Sequence, residues 1–283
     1  VALYELHDRD VPGGAVVVVA FDTWVDAGLA ATTAAEHLAA EGPIVATFDA
    51  DALFDYRARR PSLEIVDGRP SRLTWPSLTI RLTQLGGRDL LVFTGPEPDY
   101  RWGELTAAVV DLLRRLRVRE WISLGAIPAA VPHTRPVPIL GTESRPGLLR
   151  GGAEVGPQGI LRVPAAAISV LEHAVATAGI PALGYFAQVP HYVSGPYPAA
   201  AVALLRAVGR HLDAEPPIGD LDDEARALRT RLDTAAAVDD ATRTYIERLE
   251  AMVDEARLPS GEDLISEIER FLRERGNGGG ARG

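Results

Sequence analysis

The stretch AVVVVAFDTWVDAG, Ala15–Gly28, decides how this chain folds. Seven apolar residues run from Ala15 to Phe21, four of them consecutive valines. A continuous β-branched run predicts a strand buried on both faces, as in a parallel sheet covered by helices. Asp22, Thr23 and Trp24 then turn the chain, and Asp26 stands where an N-cap would open the alanine-rich segment Ala27–Ala40. Strand, acidic loop and helix start place Asp22, Trp24 and Asp26 at the carboxyl edge of a sheet, where α/β proteins keep their sites.

Outward from this unit, strands and helices alternate. Ile44–Phe48 predicts a second strand, followed by FDADALFDYRARRP, which packs Asp49, Asp51 and Asp55 beside Arg57, Arg59 and Arg60. Leu63–Val66, Arg72–Trp75 and Leu78–Leu82 are short segments broken by Asp67-Gly68 and Trp75-Pro76, the pattern of an antiparallel meander. Asp89–Thr94 returns to a buried strand. Leu105, Val109, Leu112 and Leu116 then share one helical face between Trp102 and Leu116. After a strand at Trp121–Leu124, the excursion Ile127–Pro146 carries five prolines, which exclude helix and predict a fixed, extended loop over the sheet edge. Helices at Val163–Ala178 and Pro198–Leu212 flank a strand at Pro181–Gln188. The pattern predicts a three-layer α/β/α core domain over residues 1–212. Beyond Glu215-Pro216-Pro217, helical stretches at Leu221–Ala236, Ala241–Arg257 and Glu262–Arg275 form an acidic helical appendage, 213–275, with Ser260 and Asp263 near a capping-box pattern. The tail Gly276–Gly283 reads as disordered.

Composition narrows the chemistry. No cysteine is present, which removes disulfides, thiol nucleophiles and thiolate metal sites. All 29 basic residues are arginine, so a P-loop lysine and Schiff-base chemistry are excluded. The net charge of −10 is uneven: residues 213–275 carry 18 acids and 9 arginines, the rest 21 and 20. Such a distribution argues against a nucleic-acid partner. The charged start VALYELHDRD does not read as a signal peptide, and no apolar run approaches ~18 residues, so a membrane partner is not expected and a cytoplasmic location is.

Each reactive candidate has two readings. Asp22, Trp24 and Asp26 form an acid/base or cation-binding loop, or Asp26 caps its helix while Trp24 packs on the core. Arg57, among its acidic neighbours, receives an anion or joins ion pairs. Glu97, with Asp99 and Arg101, follows a strand end, at a site or at a helix entry. His133 and His191 lie in proline-bounded loops after strands, the former beside Arg135 and the latter beside Tyr192. No histidine pair has metal-ligand spacing, and Gly-rich phosphate loops and nucleophile elbows are missing. No cofactor and no metal are expected.

The peptides VVVVAFDTWVDAG, FDADALFDYRARRP, TGPEPDYRW, VPHTRP and PALGYFAQVPHYVSGPYPAAAVALL together resemble the proteasome assembly chaperone family of the second-subunit type, in its actinobacterial branch. The resemblance spans residues 1–275. It implies an α/β/α sandwich similar to nucleoside phosphorylases and hydrolases, scaffolding rather than catalysis, and self-association. Two departures stand out: Thr23 occupies a position where members commonly have glycine, and the sequence ends Gly280-Ala281-Arg282-Gly283 rather than in a hydrophobic residue, a tyrosine and one more, so the usual docking contact with the proteasome ring is not expected. The reading that follows is a non-catalytic homo-oligomeric interaction module, its partners itself and proteasome subunits or another protein. The alternative is a small-molecule hydrolase or phosphorylase-like enzyme using Asp22, Glu97 and His191, with Arg57 or Arg135 receiving an anion.

Overall fold

The computed structural model describes residues 3–7, 11–39, 42–150, 153–157 and 159–256. The expected helix Glu262–Arg275, with its Ser260 cap, and the tail Gly276–Gly283 lie outside them. In chain order the elements are β1 (Tyr4–Leu6), β2 (Val16–Phe21), α1 (Ala30–Ala39), β3 (Ile44–Phe48), α2 (Ala50–Leu53), β4 (Ser62–Val66), β5 (Arg69–Thr74), β6 (Thr79–Leu85), β7 (Arg88–Gly95), α3 (Trp102–Arg115), β8 (Glu120–Ala129), β9 (Ile139–Glu143), β10 (Glu154–Val155), α4 (Ala167–Thr177), β11 (Ala182–Pro190), α5 (Pro198–Leu212), α6 (Leu221–Ala237) and α7 (Asp240–Ala256).

Nine strands form one mixed sheet in the order β1-β3-β6-β7-β2-β8-β11-β9-β10. β2 lies at its centre, parallel to β7 and β8, and β8 is parallel to β11. All six residues of β2 are buried. Val16, Val18 and Ala20 join the apolar layer under α1 and α5, whereas Val17, Val19 and Phe21 join the layer under α3 and α4. That alternation on two covered faces is why the sequence there is apolar without interruption. The chain divides into two compact units, Val1–Asp233 and Thr234–Gly283, and the division falls inside α6.

Three expectations are corrected. The meander does not form: β4 and β5 pair only with each other, as a separate hairpin, while β6 belongs to the main sheet between β3 and β7. The proline-rich excursion is not all loop. β8 runs on to Ala129, and Ile139–Glu143 inserts as β9 beside β11, since prolines at 136 and 138 precede the strand and leave its ladder donors intact. The helix after Asp26 starts late. Ala27–Leu29 is a 3-10 turn with Gly28 at φ +65° and Leu29 at φ +52°, and α1 opens at Ala30. Gly28 is required there, because a Cβ would sit 2.7 Å from that of Tyr197, whose amide donates to Gly28 O at 2.8 Å.

A buried polar group ties α5 to the sheet. His211 Nδ1 lies 2.9 Å from the Tyr185 hydroxyl and its Nε2 lies 3.0 Å from Glu120 Oε2. Burial pushes the Glu120 carboxyl up, but the His211 hydrogen bond and charge, with Arg150 and Arg119, outweigh it and hold the group below its ordinary value. A depressed carboxyl stabilises the fold above its unfolded pKa of about 4.3 and loses that contribution as pH falls through the folded value. The urea midpoint should therefore drop more steeply from about pH 5 to about pH 3 in the native protein than in Glu120→Gln. Parallel slopes would show that this pair adds nothing to acid sensitivity.

Candidate functional site

β2 and β7 end side by side, with Phe21 opposite Gly95, so the residues that follow them meet just beyond the sheet. Asp22 Oδ1 accepts from the Glu97 amide at 3.1 Å, from Arg59 Nη1 at 3.0 Å and from Thr23 Oγ1 at 2.5 Å. Arg59 arrives from the turn after α2, where its amide donates to Asp55 O at 2.8 Å. Its Nη2 donates to Thr23 Oγ1 at 3.0 Å. Its Nε is buried with no hydrogen-bond partner and sits 3.6 Å from Asp99 Oδ2 as an ion pair, while that same oxygen accepts the Asp55 amide at 2.9 Å. Glu97 reaches the other way: its Oε1 accepts from the Ala167 amide at 2.7 Å, satisfying the first free N–H of α4. Burial raises the Glu97 pKa; the Ala167 bond and Arg59 pull it back, and Asp22 and Asp99 push it further up.

These carboxylates therefore act as a latch. One guanidinium and three acids join the ends of β2 and β7, the 55–59 turn and the start of α4. Thr23 holds φ +92° within this latch, a conformation that glycine adopts freely and a β-branched residue adopts at a cost of about 1–3 kcal/mol. Its bonds to Asp22 and Arg59 hold it there.

Asp26 is buried and works as a displaced cap. Oδ1 accepts from Ala31 N at 2.7 Å and Thr32 N at 3.3 Å, and Oδ2 accepts from Thr32 Oγ1 at 2.5 Å. Burial raises its pKa, against the lowering effect of those bonds. Trp24 does not pack on the core; it is 60% exposed. A cavity of about 770 Å³ opens beside Asp22, lined by the hydroxyls of Thr32, Thr33, Ser77, Thr79 and Thr94 together with Glu36 and Arg81.

The remaining candidates lie elsewhere. Arg57 is exposed, its amide on Asp55 Oδ1 at 2.9 Å, so Arg59 and not Arg57 turns toward Asp22. His191, at the end of β11, is exposed and bonds Ala129 O through Nδ1 at 3.1 Å. His133 is buried: the Tyr192 hydroxyl accepts from its amide and lies 2.8 Å from its Nδ1, and its Nε2 lies 3.1 Å from Asp233 Oδ1. A neutral ring whose Nδ1 accepts a hydrogen bond from the Tyr192 hydroxyl carries its one proton on Nε2, facing the carboxylate. Arg135 lines a separate groove formed with α5 and α6. Asp22 and Glu97 are thus brought together, His133 and Tyr192 form a second group, and His191 is held at Ala129. Sequence reasoning passed over Asp233 and the arginines of α5 and α6; the i, i+4 spacing of Arg206 and Arg210 and the i, i+3 spacing of Arg226 and Arg229 were the available signals. Among the described residues no group of three or more acids or histidines is arranged to hold a metal ion, and no helix is long and apolar enough to cross a membrane.

The sequence model of the PAC2 family matches residues 20–236. The chain belongs to the PAC2 family. Among solved structures, this PAC2 protein is similar to a protein of unknown function from Corynebacterium glutamicum, at 31% identity over 89% of this chain and 97% of that one, with a TM-score of 0.84. It is similar to the proteasome-assembly chaperone homologue of Mycobacterium tuberculosis at 36% identity, 82% of this chain and 99% of that one, TM-score 0.75. Both place it with the actinobacterial branch. PbaB of Pyrococcus furiosus, an archaeal proteasome activator, shares the fold at 17% identity, over 82% of this chain and 97% of that one, TM-score 0.65. No curated protein matches the chain.

Proposed function

We propose that this PAC2 protein is a non-catalytic, self-associating interaction module that serves proteasome assembly in the cytoplasm. Its 36% identity to a proteasome-assembly chaperone homologue supports the partner class. The latch supports the absence of catalysis. At the sheet edge where an α/β enzyme needs free carboxylates, those of Asp22, Glu97 and Asp99 accept structural hydrogen bonds. A hydrolase built on Asp22, Glu97 and His191 would need the imidazole within reach of the two acids, and it is bonded to Ala129 instead.

The observation that carries self-association is the β4–β5 hairpin. Every residue of both strands is exposed, and a two-stranded ribbon is marginal on its own in water. Leu63 faces Leu73 across the ladder, with Ile65 next on the same side and Glu64 against Arg72 on the other. Leu63, Ile65, Val66, Leu73 and Trp75 stand 49–59% exposed, and Trp75 is anchored by the Tyr56 ring at 4.8 Å. Residues 62–74 carry Glu64, Asp67, Arg69 and Arg72, which cancel, in a chain of net charge −10. The hairpin is therefore a patch where two copies meet without mutual repulsion, and a two-fold contact buries the same residues twice.

Light scattering should give an oligomer for the native chain and a monomer for Leu63→Asp/Leu73→Asp, with unchanged far-UV circular dichroism because both side chains are half exposed. A monomeric native chain at about 100 μM, well above a Kd of about 1 μM, would end this reading.

A further inference from the structure

The cavity beside Asp22 has more hydrogen-bonding capacity than the latch uses. Its volume of about 770 Å³ lies within the size range of small-molecule sites. Side-chain alternation sets its lining. Leu90 and Val92 of β7 face the apolar layer under α1. Two residues on, the same row continues with Thr94, and Thr79 of β6 stands directly opposite it across the ladder. α1 supplies the facing wall through Thr33 and Glu36, three residues apart on one side of the helix. Ser77 closes in from the loop before β6. A Cβ on Gly95 would come within 2.3 Å of the Ser77 carbonyl oxygen, so glycine lets the two segments approach.

The hydroxyl of Thr32 is taken by Asp26, but those of Thr33, Ser77, Thr79 and Thr94 bond to no protein group among the described residues. Asp22 has a second oxygen to offer: Oδ1 holds Glu97, Arg59 and Thr23, while Oδ2 accepts from none of the described residues. The Glu36 carboxylate is exposed and pairs with no described arginine. Charge is balanced here. Arg59 answers Asp22 at 3.0 Å, and the lining holds one further acid, Glu36, and one further arginine, Arg81, whose Nη1 donates to Gly42 O at 2.7 Å. A balanced lining gives a multiply charged ligand no net attraction. Leu29, Ala39 and Pro96 add apolar surface. Leu29 is held half exposed at φ +52°, a strained placement for a residue other than glycine, which persists only where its surroundings fix it. A sugar ring matches all of this. Its hydroxyls both donate and accept, neighbouring pairs reach both oxygens of a carboxylate, and its C–H faces rest on apolar surface.

We propose that this cavity is a binding site for a neutral sugar, with Glu36 and Asp22 Oδ2 accepting from ring hydroxyls and the Thr79–Thr94 pair bonding to a further one. The site is independent of the assembly role and of the hairpin. Isothermal titration of the full chain with D-glucose, D-galactose, D-ribose and sucrose in turn tests it. At least one should bind with a Kd below ~1 mM, and its affinity should hold between about 50 and about 500 mM salt, because the ligand carries no charge. Thr79→Val/Thr94→Val, which keeps the side-chain shape and removes two hydroxyls, should weaken that binding by about tenfold or more. Glu36→Gln, at an exposed position of α1, should do the same. Thr106→Val on α3, across the sheet, where the hydroxyl donates to Trp102 O, should leave it unchanged. The proposal is overturned if none of the four sugars binds below ~1 mM, if either cavity variant keeps the native affinity, or if Thr106→Val weakens binding as much as they do. It is overturned as well if inorganic phosphate binds tighter than every sugar, which would make Arg81 the centre of an anion site.

Discussion

Phe93→Ala should destabilise the fold by about 3–5 kcal/mol, the range for truncating a fully buried phenylalanine. Phe93 lies on β7 and has no exposed surface. It stacks on Phe48 with ring centroids 5.0 Å apart and meets Phe21 edge-on at 5.1 Å. The three rings come from β3, β7 and β2, so the cavity would open under the central strand and immediately before Asp22. Against a typical total of about 5–15 kcal/mol, this change should lower the urea midpoint by a large fraction. Phe93→Leu refills most of the volume and should recover more than half of the loss. A cost below about 1 kcal/mol for the alanine variant would mean that the aromatic stack is not the support of the strand ends.

Asp26→Ala should cost about 2–3 kcal/mol, since it removes a helix cap and leaves buried donors on Ala31 and Thr32 without a partner. Asp26→Asn should stay within about 1 kcal/mol of the native protein, because a carbonyl oxygen still accepts from both amides and the Thr32 hydroxyl can reverse its role. The fold raises this carboxyl's pKa through burial, so its charge weakens the folded state as pH rises through that value; the amide is free of the penalty. Chemical denaturation of both variants near neutral pH gives the comparison. Equal damage from both substitutions would mean that the negative charge itself is needed and that Asp26 belongs to a ligand site.

Where a sequence pattern has one structural solution, it was readable. The apolar run from Ala15 to Phe21 allows only a strand covered on both faces, and Pro198–Leu212, with proline at its first position, has the ends its residues predict. Sheet membership is different. β4, β5 and β6 share short length, alternation and flanking turns, yet two leave the sheet and one enters it. That outcome depends on what lies beside Ile80 and Leu82, not on their own propensities. β9 was hidden because its five residues sit among prolines that belong to its neighbours. The latch was half visible: Asp22 and Glu97 follow strand ends, a position with a known geometry, but the choice of Arg59 over Arg57 and Arg60 is made by the turn in which the amides of Ala58 and Arg59 both donate to Asp55 O. The groove beside Arg135 needs α5 and α6 laid against one segment, which no local pattern encodes.

The large sheet ends in two very short strands, β1 with three residues and β10 with two. A rim so brief has few unpaired amides and carbonyls with which to template an incoming strand, so this sheet resists fibril-type growth by truncation and needs no charged or proline-studded border. β4 and β5, at five and six residues, present a longer strip of open backbone. Any backbone-to-backbone joining of these molecules, whether productive or pathological, is thereby channelled toward that ribbon.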